Sequence, residues 1–113
     1  MHEMALTESI VEIALEEARR QGARKVTRVF LDVGALSCVV PEALEFCFSA
    51  VANGTAAEGA KLEIARIAGT GWCLDCEKTV ALAERYDACP ECGGARVRMT
   101  AGDELKIREM EID

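Results

Sequence analysis

Four cysteines set in two matched pairs are the residues of this chain best placed to do chemistry. They read Cys73-Leu74-Asp75-Cys76 and, after twelve intervening residues, Cys89-Pro90-Glu91-Cys92. Each pair offers two thiolates from one tight turn. Two such turns facing one another complete a tetrahedral all-sulfur shell, which favours Zn²⁺ and needs no redox step. The plainer alternatives are a redox-active CxxC or a disulfide framework. Two pairs in register, in a chain with no secretory signal, argue for metal instead. Gly93 and Gly94 follow the second pair, and glycine there permits the left-handed turn that aims backbone N–H groups at sulfur. A site closed by four cysteines keeps no open position for substrate, so its zinc is expected to be structural.

The second candidate lies at the other end. His2 is the sole histidine, between Met1 and Glu3. A large second residue protects the initiator methionine from removal. The Met1 α-amine, the His2 amide nitrogen and the His2 imidazole then form a tridentate set, and the Glu3 amide or a nearby carboxylate supplies a fourth ligand. Deprotonated amides with imidazole give planar, strong-field coordination, which suits Ni²⁺ or Cu²⁺ better than Zn²⁺. The bland alternative is an inert terminal histidine. With one histidine, neither a Ser-His-Asp nor a Cys-His set can be assembled away from the terminus. No G-x-x-x-x-G-K-[ST] loop is present. The chain is therefore not expected to be an enzyme.

Positioning these groups falls to a short chain. Its 113 residues suit one domain with a small appendage. Half are hydrophobic but only 4% aromatic, so the core must be aliphatic, and a zinc staple suits the part that cannot build a core of its own. The formal net charge is −7. Four thiolates around one Zn²⁺ add two further negative charges, which makes nucleic acid a poor partner. Glu3, Glu8, Glu12, Glu16 and Glu17 interrupt the N-terminal stretch. It therefore reads as neither signal peptide nor membrane span, and the expected location is the cytoplasm.

Apolar periodicity predicts a helix over 5–21, with Leu6, Ile10, Ile13, Ala14 and Ala18 on one face. Its glutamates are either a solvated face or a partner surface. A strand over 25–33 follows, with Val29, Leu31 and Val33 on one face and Gly34 breaking it. Pro41 opens a second helix whose apolar stripe is Leu44, Cys47, Phe48 and Val51, and Asn53-Gly54 ends it. Residues 61–67 and 105–112 read as strands, with a short strand at 97–100. Cys47 is expected in the core. Cys38, in the loop before Pro41, is either a buried thiol or a reactive one. The expected fold is α+β: a small three-stranded sheet covered by two helices, with an inserted zinc-ribbon or rubredoxin-like module. The corresponding domains are 1–68 with 101–113 and, for the zinc module, 69–100.

Taken together, Met1-His2-Glu3-Met4, the central Gly34-Ala35-Leu36-Ser37-Cys38-Val39-Val40-Pro41-Glu42-Ala43-Leu44-Glu45-Phe46, the cysteine quartet and the terminal Leu105-Lys106-Ile107-Arg108-Glu109-Met110-Glu111-Ile112 resemble the HypA/HybF nickel metallochaperones. The resemblance runs in order along essentially the whole chain. It implies a protein that matures NiFe hydrogenase and cooperates with a HypB-type GTPase to deliver Ni²⁺ to the hydrogenase large subunit. Some relatives also serve urease, so urease maturation factors are further candidate partners. It implies nickel held by His2 with Met1 and Glu3 assisting, and zinc held by Cys73, Cys76, Cys89 and Cys92. The loop 37–41 is uncharged and offers no carboxylate ligand. Two rivals share the quartet. A rubredoxin-like electron carrier would want more aromatic packing, and has Glu77 where glycine is expected. A zinc-ribbon nucleic-acid module would want more than Arg85, Arg96 and Arg98.

Overall fold

A computed structural model describes residues 3–113. Its elements are α1 (Glu3–Arg20), β1 (Val26–Gly34), α2 (Pro41–Ala52), β2 (Lys61–Ile67), β3 (Thr70–Cys73), β4 (Lys78–Ala81), β5 (Val97–Ala101) and β6 (Leu105–Ile112). The fold is α+β, with two helices, a three-stranded sheet in the order β2-β1-β6 and a second in the order β4-β3-β5. The chain divides into two compact units: residues 1–32, 39–65 and 106–113, and residues 33–38 and 66–105.

In the first unit α1 packs against α2. The face that α1 buries is Thr7, Ile10, Val11, Ala14 and Ala18, the i, i+3, i+4, i+7, i+11 series of one helical stripe. Ile13, expected inside, is 59% exposed, and Leu6 is only half-buried. Ile13 sits about 120° from the stripe's centre at 100° per residue. Thr7 takes a core position because its hydroxyl donates to the Glu3 carbonyl at 2.6 Å, which leaves its methyl group to pack. Pro41 stands in the first turn of α2, where its missing N–H costs nothing, and Asn53 ends the helix. Leu44, Phe48 and Ala52 are its buried residues. Cys47, expected in the core, is only half-buried, because it lies at the margin of that stripe. Val26, Val29 and Leu31 of β1 are fully buried, which makes the core aliphatic as the composition requires. Arg28 of β1 reaches Glu63 of β2 at 3.4 Å and Glu111 of β6 at 3.2 Å, a charged tie across the sheet. Gly34 does not break β1 but is its last residue.

The second unit is built on β3, with β4 and β5 antiparallel on either side. Its core is Leu36, Cys73, Val80, Leu82 and Cys89, with Cys76, Val97 and Met99 packed against it. Leu36 thus inserts a side chain from the 33–38 segment into the cysteine module. The Leu36 N–H donates to the Gly102 carbonyl at 2.7 Å, the Gly34 N–H to Glu104 at 2.7 Å, and the Leu82 N–H to Gly69 at 3.0 Å. Glycine is required at this crossing. A Cβ on Gly34 would stand 2.0 Å from the Gly102 oxygen and 2.6 Å from the Asp103 nitrogen, backbone that cannot give way as a side chain could. Among the described residues, no helix is long and apolar enough to cross a membrane.

Candidate metal centre

The two cysteine turns are built alike. In the first, the Glu77 N–H donates to the Cys73 carbonyl at 2.8 Å, and in the second the Gly93 N–H donates to the Cys89 carbonyl at 2.8 Å. The residue after each second cysteine is left-handed, Glu77 at φ 52° and Gly93 at φ 74°. Glycine is therefore favoured but not required there, since the first turn holds the same shape with glutamate. The turns aim amides at sulfur as expected. Cys76 N–H reaches Cys73 Sγ, Glu91 N–H reaches Cys89 Sγ and Gly94 N–H reaches Cys92 Sγ, each at 3.4 Å.

These turns bring all four predicted sulfurs together, every one within 4.8 Å of the others. Cys73 Sγ lies 3.7 Å from Cys92 Sγ, and Cys76 Sγ lies 3.9 Å from Cys89 Sγ. A tetrahedron with metal–sulfur bonds of about 2.3 Å has an edge of about 3.8 Å, so these contacts have the span that zinc demands. They are far longer than a disulfide bond. The first cysteine of each pair is buried, while Cys76 is half-buried and Cys92 exposed.

Protonation divides the sulfurs. The Cys92 N–H pointing at Cys89 draws its thiol down to about 7, against the opposing effect of burial, and the Glu91 N–H adds to the lowering. Cys76 is pushed up to about 12, first by the Cys92 sulfur and then by Cys73. At Cys92 the Gly94 N–H and then the Cys76 sulfur favour the thiolate, but Cys73, Cys89 and burial together outweigh them and the thiol ends above its ordinary value. Crowded sulfurs resist a common negative charge unless a cation sits among them. The donor set therefore fits a divalent metal.

Two ion pairs stitch one turn to the other. Asp75 and Glu91 occupy the same slot in the two CxxC turns. Arg96, which follows the second turn, binds Asp75 Oδ1 through Nη2 at 2.6 Å and Nε at 3.2 Å. Lys78, which follows the first turn, binds Glu91 at 2.7 Å. The contact with Arg96 holds Asp75 below the usual carboxylate range, and Glu91 holds Lys78 above the usual amine range. The motif itself gave no notice of this brace. The available signal was a carboxylate repeated at the same position of both turns.

At the other end, Met1 and His2 lie outside the described residues. Glu3 is in the first turn of α1. Cys38 is exposed rather than buried, at φ 63°.

Comparison with known proteins decides what kind of protein carries this centre. Residues 1–112 match the family described as hydrogenase/urease nickel incorporation, metallochaperone, HypA. The chain belongs to the HypA family. It is 65% identical over 112 residues to the hydrogenase maturation factor HypA of Rhizobium leguminosarum bv. viciae, with 99% of each chain covered. It is 54% identical over 113 residues to hydrogenase maturation factor HypA 2 of Bradyrhizobium diazoefficiens, with 100% of each covered. Its fold is similar to the solution structure of the Ni metallochaperone HypA from Helicobacter pylori, with a TM-score of 0.71, 23% identity and 99% and 97% of the two chains covered. A second HypA solution structure gives a TM-score of 0.74 at 24% identity, covering 99% and 96%. Membership makes the chain a nickel metallochaperone of the hydrogenase/urease nickel-incorporation family, and the four-cysteine cluster is consistent with a structural zinc site in such a protein.

Proposed function

We propose that this chain carries two metals with opposite duties. Zn²⁺ resides in the sulfur cage of Cys73, Cys76, Cys89 and Cys92 and holds the second unit in shape. Ni²⁺ is cargo, bound by the Met1 amine and the amide and imidazole of His2, with Glu3 assisting. The observation that carries the reading is the family match from residue 1 through both cysteine pairs. The chemistry of the two donor sets agrees with it. Four thiolates close the zinc shell and leave no exchangeable position. Amine, amide and imidazole nitrogens suit nickel, and amides in a helix's first turn have no partner within the helix, which leaves the Glu3 N–H available.

The mechanism is transfer rather than turnover, and the protein acts as a non-enzymatic accessory. Ligands at a chain terminus can be replaced one at a time by those of a recipient. A HypB-type GTPase and the NiFe hydrogenase large subunit are the proposed partners, with urease maturation factors as further ones, all in the cytoplasm. Nickel handling is assigned to residues 1–68 with 101–113 and zinc binding to 69–100, with Leu36 of the 33–38 segment packed into the core of the zinc unit. The test is His2→Ala, with metal content and fold measured together. Nickel binding should vanish while zinc stoichiometry and circular dichroism stay unchanged. Unchanged nickel stoichiometry in that variant would overturn the terminal site.

A further inference from the structure

Helix α1 is anchored unevenly along its length. Its buried residues are Thr7, Ile10, Val11, Ala14 and Ala18, so burial begins at Thr7. The turn before it, 3–6, buries no side chain: Met4 and Ala5 are exposed, Glu3 and Leu6 half-buried. A helix end that packing does not hold opens readily, because each hydrogen bond there secures little against the freedom gained by release. Glu3 is the first described residue of α1. It is also the residue proposed to assist nickel through its backbone amide. That amide therefore belongs to a turn that buried side chains do not hold.

Thr7 meets this need with two groups on one Cβ. Its side chain is fully buried, and its hydroxyl donates to the Glu3 carbonyl at 2.6 Å. Four residues separate the two, so the hydroxyl adds to the ordinary helical bond between the Thr7 N–H and that same carbonyl. A threonine bonding back to its i−4 carbonyl is common inside helices and by itself slightly unfavourable. At this position it links the first core residue to the unburied turn. The packed methyl fixes the side-chain rotamer, which in turn aims the hydroxyl. We propose that Thr7 is a positioning residue for nickel: its hydroxyl keeps Glu3 in helical geometry, so that the Glu3 amide meets incoming Ni²⁺ already ordered. Thr7 itself touches no metal. Order present before binding spares the cost of ordering at binding. The proposal rests on the terminal nickel reading and adds to it a residue outside the donor set.

The experiment compares the full-length, untagged, zinc-loaded parent with Thr7→Val and Thr7→Ser. Valine keeps the buried shape and loses the hydroxyl. Serine keeps the hydroxyl and loses the buried methyl. Before nickel is added, the Cα chemical shift of Glu3 reads the first turn. It should move toward the coil value in Thr7→Val and stay helical in Thr7→Ser. Calorimetric titration with Ni²⁺ should then show binding weaker by roughly three- to tenfold in Thr7→Val, the range set by one hydrogen bond. In Thr7→Ser it should stay within about twofold of the parent, with zinc content unchanged in both. Melting temperature should run the other way, with serine below valine, because a buried methyl is lost. A role confined to stability would instead make nickel affinity follow melting temperature. The proposal is overturned if Glu3 stays helical in Thr7→Val, if nickel binding there matches the parent, or if Thr7→Ser binds nickel as weakly as Thr7→Val. Nickel retained by His2→Ala would overturn the terminal site and the proposal with it, and the Glu3 shift, read without nickel, tells that failure from a failure of the clamp.

Discussion

Leu36→Ala tests whether the zinc unit is held together from outside its cysteine motif. Leu36 is 3% exposed in the cluster with Cys73, Val80, Leu82 and Cys89, and its side chain lies against Gly69 and Gly102. Removing a buried leucine to its Cβ costs about 2–5 kcal/mol, the upper part applying where the site cannot collapse. Glycine backbone on two sides leaves little that can move inward. A four-cysteine unit of this size draws its folding energy from zinc, whose apparent binding energy is about 10–16 kcal/mol. The holo unit should therefore stay folded, and the loss should surface as weaker zinc. At about 1.4 kcal/mol per tenfold, zinc affinity falls by roughly 30- to 3,000-fold. Competition against a chromophoric chelator measures this. Leu44→Ala serves as the control, since Leu44 is fully buried in the first unit; it should lower the melting temperature and leave zinc affinity within about twofold. Zinc affinity in Leu36→Ala within about twofold of the parent would refute the reasoning.

Three further outcomes follow from the same geometry. Glu77→Gly relieves a left-handed non-glycine residue and should slow zinc loss to chelator severalfold, for a relief of about 1 kcal/mol; unchanged or faster loss counts against the turn. Lys78→Glu should speed zinc loss by a few-fold at low salt and Lys78→Glu with Glu91→Lys should recover it, because half-exposed pairs are worth about 0.2–1 kcal/mol and are screened; an effect that persists at 1 M salt would mean the brace is not electrostatic. Zinc binding at neutral pH should release at least two protons, from Cys76 and Cys92, whose thiols lie above their ordinary value. Protons compete for the sulfurs, so zinc-derived stability is full at high pH and lost as pH falls. Calorimetry in buffers of different ionisation enthalpy gives the count, and fewer than one proton would contradict the crowded-thiol picture.

Much of this was legible in the residues, where a local rule was strong. Pro41 and Asn53 bound α2 because proline and the Asn-Gly pair act on the backbone directly. The strand at 61–67 coincides with β2, and the strand at 105–112 with β6. Spacing alone paired the four cysteines. What escaped depended on contacts remote in sequence. The short strand β3 is masked in the sequence by Gly71, which looks like a break and is instead a close approach, where an added Cβ would meet Val97 at 2.7 Å, and β4 is only four residues long. Leu36 reads as a loop residue and is core to a module more than thirty positions away. Ile13 matches the helix's inner face by residue type but not by angle, while Thr7, polar by type, fills a core position because its hydroxyl is satisfied by the Glu3 carbonyl.

The central claim is that nickel and zinc occupy opposite ends of the chain, and it is tested most directly by counting metals in an untagged protein and in one extended by a single residue before Met1. Native mass spectrometry during a Ni²⁺ titration should show one zinc in both proteins, with nickel retained by the first and lost from the second. Equal nickel uptake by the extended protein, or displacement of zinc by nickel in either, would contradict the account.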